Sequence, residues 1–112
     1  MEQVKVDDFF KVDIRVGTVT KVEDFPEARN PAYKVWVDFG DEVGVKKSSA
    51  QVTDLYSKDD LLDRQVVAVV NFPPRQVGRF MSEILILGTV QGDGSVVLLQ
   101  PDRSVENGLR IS

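Results

Sequence analysis

The chain predicts an all-β fold, a small barrel of five strands interrupted once by helix. Three observations carry this. Period-two alternation of apolar and polar residues runs through most of the 112 residues. The run "QVVAVVNF" at 65–72 is apolar on both faces, and helical spacing is confined to the stretch 49–64. Alternation marks half-buried strands, a short doubly apolar run marks a buried central strand, and 3.6-residue spacing marks helix.

The elements follow in order. In "VDIRV" Val12, Ile14 and Val16 share one face and Asp13 and Arg15 the other; after Gly17 the phase slips and Val19 carries the apolar face. A glycine bulge there would bend one long strand, about 12–25, so that it serves both sides of a barrel. "EARNPAY" reads as punctuation. In "YKVWVDFG" Tyr33, Val35, Val37 and Phe39 form one face, Lys34, Trp36 and Asp38 the other, and "FGDEVG" turns this strand into "VGVKKSSA". "SAQVTDLYSKDDLLDR" predicts one or two short helices, with Ser57 as an N-cap over Lys-Asp-Asp. "QVVAVVNF", "SEILILGTV", the turn "QGDGS" and "VVLLQP" complete the strands. The tail "DRSVENGLRIS" is polar with apolar pegs. Three strands, a short helical connection and further strands is the order of an OB-fold, a five-stranded Greek-key barrel with short terminal extensions. Residues 1–7 read as an N-terminal extension and 8–112 as one domain.

Composition narrows the function. There is no cysteine and no histidine, which removes disulfides, thiolate metal sites and every Ser-His or Cys-His pair. The carboxylate pairs Asp7-Asp8, Asp41-Glu42 and Asp59-Asp60 are adjacent and point apart, and no phosphate loop or nucleophile elbow occurs. No enzyme, cofactor or metal site is expected. Eighteen acids against fourteen bases give a net charge of -4, which disfavours unspecific coating of nucleic acid. The N-terminus has no signal-peptide pattern and no apolar run approaches the ~20 residues that span a bilayer, so no membrane insertion and a cytoplasmic location are expected.

"VVNFPPRQVGRFMSEILILG" is more specific. With Asn71, Phe72, Pro74, Arg75, Ser82 and Glu83, and with the Asp-Ile-Arg-Val-Gly core at 13–17, it resembles the tRNA-binding domain of bacterial methionyl-tRNA synthetases and their free-standing relatives. "KKSSAQVTDLY", "NFPPR" and "VVLLQPD" resemble the CsaA branch of export-related chaperones. Pro73 stands where synthetase-type domains carry a lysine, and Ile84 and Leu85 where they carry Gly-Met. The resemblance implies a homodimeric OB-fold that binds unfolded or pre-export polypeptides and is a partner of the Sec export motor. The alternative it implies is a tRNA-binding module.

Candidate site residues cluster in this stretch. Phe72, Phe80 and Met81 offer apolar contact and Arg75 and Arg79 charge, as on a pocket rim. Phe72 could equally cap the barrel end, which is the commoner use, whereas Phe80 after Gly78-Arg79 reads as exposed. Arg75 could take phosphate or brace the loop through Glu83. Ser82 and Glu83 are groove residues or, more commonly, acceptors for loose backbone donors. Strand parity from Val43 and Val45 puts Lys46 and Ser48 on the exposed face, and the resemblance makes Lys46 a groove contact. Trp36, opposite the apolar face of its strand, either stacks a ligand or sits in a subunit interface, and the resemblance to a dimeric family assigns it to the interface, with Val105, Leu109, Ile111 and Phe9. One of Phe9 and Phe10 is expected to plug the barrel.

Overall fold

The computed structural model describes all 112 residues. A short helix α1, Val6–Lys11, precedes strand β1, Ile14–Asp24. Strands β2, Tyr33–Asp38, and β3, Val45–Ala50, form a hairpin; helix α2, Lys58–Leu61, leads into β4, Gln65–Val69. Beyond β4 come a small hairpin, β5 Arg75–Val77 and β6 Phe80–Ser82, then β7, Leu85–Ile86, and a last hairpin, β8 Gly88–Val90 and β9 Val96–Leu98.

The antiparallel sheet has the order β3-β2-β1-β4-β7 and curls until its edge strands β3 and β7 approach without pairing, giving the nearly closed five-stranded barrel of an OB-fold. β1 makes this possible because it pairs with β4 along its first half and with β2 along its second. The register shift lies between Val19 and Lys21, not at Gly17 as the phase slip implied. Gly17 has a different duty: a Cβ there would stand 2.6 Å from Val37 and 2.9 Å from the Asp38 carbonyl, so β1 and β2 can cross closely only at glycine. Val19, Val35, Val37, Phe39, Leu61, Val66 and Ala68 fill the barrel. Val66 to Val69 are all buried, as a doubly apolar strand requires.

α2 starts where the cap chemistry places it. The Ser57 hydroxyl accepts from the Asp60 amide while the Asp60 carboxylate accepts from the Ser57 amide, a full capping box. Residues 53–55 form a turn rather than a second helix.

The tail is held along the free edge of β1's first half. The Gly108 amide donates to the Val16 carbonyl at 2.7 Å, the Val16 amide to Leu109 at 3.0 Å and the Ile111 amide to Ile14 at 2.8 Å. Gln65 clamps the Val105 main chain in both directions. Asn71 bridges the other terminus, accepting from the Asp13 amide and donating to the Lys11 carbonyl. Neither Phe9 nor Phe10 plugs the barrel: both rings are exposed and α1 buries no residue. The barrel end is filled by core side chains, and a helix of one and a half turns lies outside it.

Candidate functional site

The segment from Arg75 to Ser82 folds back on itself. Gly78, at φ +59°, and Arg79 form a two-residue connection with glycine first, the pattern of a type II′ hairpin. The fold-back carries Phe80 inward, 8% exposed, against Phe25 at 5.4 Å and Trp36 at 6.0 Å between ring centroids. Phe80 is therefore not the exposed ring its flanking Gly-Arg pair implied. It anchors a second small cluster with Phe25 and Ala32, separate from the barrel core. Phe72 reverses the commoner expectation: it does not cap the barrel but stands 46% exposed on the wall of an open cleft. Met81, Arg75 and Arg79 are exposed, and Arg75 makes no bond to Glu83.

Ser82 and Glu83 close the barrel seam. The Glu83 amide donates to the Lys47 carbonyl at 2.8 Å, and its carboxylate accepts from the Lys47 amide at 3.1 Å. The Ser82 hydroxyl accepts from the Ser49 amide at 3.1 Å. Two side chains thus satisfy donors that a regular fifth strand would take. Ser48 corrects the strand parity. It is 1% exposed and donates to the Ile84 and Ser49 carbonyls, so its hydroxyl is part of the seam. Lys46 shares that inward side, half-buried opposite Val37, while Val45 is exposed and Lys47 lies on the outer side. Val43 misled the parity because it packs on the core from the turn, outside the strand.

Beside the seam opens a cleft of about 760 Å³. The β1–β2 loop forms one bank, with Arg29, Asn30 and Ala32; the end of β3 contributes Ser49, Gln51 and Val52. The opposite bank has Phe72, Pro73, Arg75 and Val77, and the run from Ser82 to Ile86 also contributes to the lining. Of these residues, Phe72, Arg75, Ser82 and Glu83 are the ones expected from the sequence, whereas Arg29, Asn30, Gln51, Val52, Ile84 and Ile86 were not foreseen. "EARNPAY" passed for punctuation, although an Arg-Asn pair in a strand connection was the available signal.

The outer face of β1, β2 and β3 is different. Lys21 lies 4.6 Å above Trp36, Lys34 4.9 Å from Phe25, and Lys47 5.1 Å from Phe80. Trp36 is thus packed within its own chain, half-buried between Phe80 and the Lys21 side chain, and needs no subunit interface to account for it. Of the other residues assigned to an interface, Val105 and Ile111 are half-buried while Leu109 and Phe9 are exposed. Arg110 donates to the Phe10 carbonyl, which sets α1 beside the tail.

One charge cluster fixes that arrangement. Arg15 donates to both oxygens of Asp13, to Glu42 and to the Gly108 carbonyl. The Arg15 hydrogen bonds, with Arg110 nearby, hold the Asp13 carboxyl below its ordinary value.

The family described as "Putative tRNA binding domain" matches residues 14–110. The methionine–tRNA ligase of Thermococcus onnurineus is 41% identical over 111 residues, 99% of this chain and 15% of that enzyme. The chain spans 14% to 17% of the length of the curated ligases it matches. The solved structure of the chaperone CsaA from Bacillus anthracis str. Ames superposes with a TM-score of 0.94 at 51% identity, covering 99% of this chain and 100% of that one. CsaA from Picrophilus torridus gives 0.92 at 51% identity, covering 98% and 100%. The synthetase match is confined to a non-catalytic module, whereas the CsaA match runs end to end. On that agreement of sequence and barrel, the chain belongs to the tRNA-binding domain family, in its CsaA branch.

Proposed function

We propose that the protein is a non-enzymatic, ATP-independent chaperone that holds unfolded or pre-export polypeptides in the cytoplasm. The observation that carries this reading is the open cleft with Phe72 exposed on its wall, in a chain half identical to proteins named as chaperones. A large exposed ring beside apolar lining is what a holder of many sequences needs. Holding is passive: burial of client side chains opposes aggregation, and ordering of the client keeps each contact weak. Two cleft copies in a homodimer compensate through effective concentration. The apolar groups on α1 and the tail, Phe9, Phe10 and Leu109, supply a surface for such a dimer. Docking on an export motor is a further partner of the same surface class.

The test is dilution of a chemically unfolded client with light scattering as readout. Wild type is expected to suppress aggregation and Phe72→Ala to lose most of that effect at unchanged thermal stability. Equal suppression by the variant would remove the cleft from the account.

A second reading, tRNA binding, is favoured by Lys21, Lys34 and Lys47 on the outer face and by the family's description. Because Phe25 and Phe80 are buried, this face offers charge without free stacking rings. It fits shape and phosphate recognition of a folded RNA. That reading predicts an affinity that falls steeply with salt and on Lys34→Ala or Lys47→Ala.

A further inference from the structure

The two edge strands of the barrel sheet, β3 and β7, face each other across the cleft. The seam between them is closed only as far as Ser49, by Ser82 and Glu83. Just beyond, neither the amide nor the carbonyl of Gln51 has a main-chain partner in the fold. On the facing side β7 pairs with β4 alone, so its cleft-side edge at Ile86 carries no strand. Unpaired edges are templates for another extended chain. The exposed side chains of Phe72 and Leu85, with half-buried Ile86, line this space and offer apolar contact to the side chains of such a chain. Of the three charged side chains in the lining, Arg29 and Arg75 make no ion pair and the one carboxylate, Glu83, is turned onto the Lys47 amide, so the cationic groups outnumber the anionic one.

We propose that the cleft takes an extended polypeptide segment edge-on, as an added strand at Gln51 and Ile86, with acidic flanks against Arg29 and Arg75. The proposal rests on the polypeptide-holding reading and specifies its substrate: an unfolded segment, apolar at alternate positions, with free main-chain groups and carboxylates at its ends. Main-chain pairing explains how one cleft accepts many sequences, because every residue except proline offers the same donor and acceptor. An RNA strand could satisfy the arginines, but it would leave the free peptide edges and the apolar lining unused.

The test uses the whole protein and a short fluorescein-labelled peptide that alternates valine and serine between glutamate flanks, read by anisotropy. Two further versions are N-methylated at the odd or the even positions, which removes main-chain donors and keeps the side chains. A fourth carries lysine flanks. At least one methylated peptide is expected to bind about tenfold more weakly, as is the lysine-flanked one. Arg75→Glu should reverse the flank preference, which places the peptide in this cleft. Full affinity of both methylated peptides, or an unreversed preference in Arg75→Glu, overturns the proposal and leaves polypeptide holding by side chains standing. Failure of every peptide to bind overturns the proposal, and tRNA binding that Lys34→Ala or Lys47→Ala abolishes would then overturn the polypeptide-holding reading with it.

Discussion

Phe80 sits among Phe25, Ala32 and Trp36 with two lysine ammonium groups at its ring, and its truncation would empty the smaller of the two apolar clusters. Phe80→Ala is expected to lower stability by about 3 kcal/mol, read as a shifted urea midpoint. Phe72→Ala, at an exposed ring, should change it by less than about 0.5 kcal/mol. Such a contrast separates anchor from contact residue. Gly17→Ala is the steric counterpart: with Val37 and the Asp38 carbonyl inside contact distance, overpacking should cost about 2 kcal/mol or more. Single residues were the least legible part of the sequence. The Gly78-Arg79 pair made Phe80 read as exposed, and only the direction in which that hairpin folds back covers the ring. Ser48 was misplaced for a related reason, since its burial depends on a carbonyl from Ile84, far away in sequence.

Elements were more legible wherever their cause is local. Strand alternation in β2, the doubly apolar β4 and the Ser57 capping box each follow from neighbouring residues. α1 was not foreseen, because a helix of six residues has little intrinsic stability and depends on its docking. The seam was foreseen as chemistry but not as location. There, Glu83→Ala removes the acceptor of the Lys47 amide and should cost about 1–2 kcal/mol, with faster hydrogen exchange at Lys47. The tail is tied to β1 through the Asp13–Arg15 pair, and this contribution depends on pH. Asp13 titrates below its ordinary 3.8 in the folded protein. Its stabilisation is therefore complete above that value and is lost as pH falls through the lower, folded-state one. Urea midpoints of Asp13→Asn should lie below those of wild type near neutrality, and the gap should narrow on acidification below roughly pH 4.

For the whole molecule, the order of strands and one helical connection identify the barrel, and three separated motifs identify the branch. The cleft was not legible, since its banks come from the β1–β2 loop, the end of β3, the hairpin and β7. No local pattern announces where the two edges of a curled sheet fail to meet. The dimer proposed above would use the exposed apolar groups at both termini: sedimentation should then give twice the 12.5 kDa chain, and paired Phe9→Asp and Leu109→Asp substitutions should yield monomer with the barrel intact. Photo-crosslinking decides whether the cleft or the lysine face holds the client. A benzophenone side chain is placed at position 72 or at position 21, and each protein is irradiated with a chemically unfolded client. Adducts are expected from position 72 and few from position 21. Strong adducts from position 21 with none from position 72 would contradict holding in the cleft.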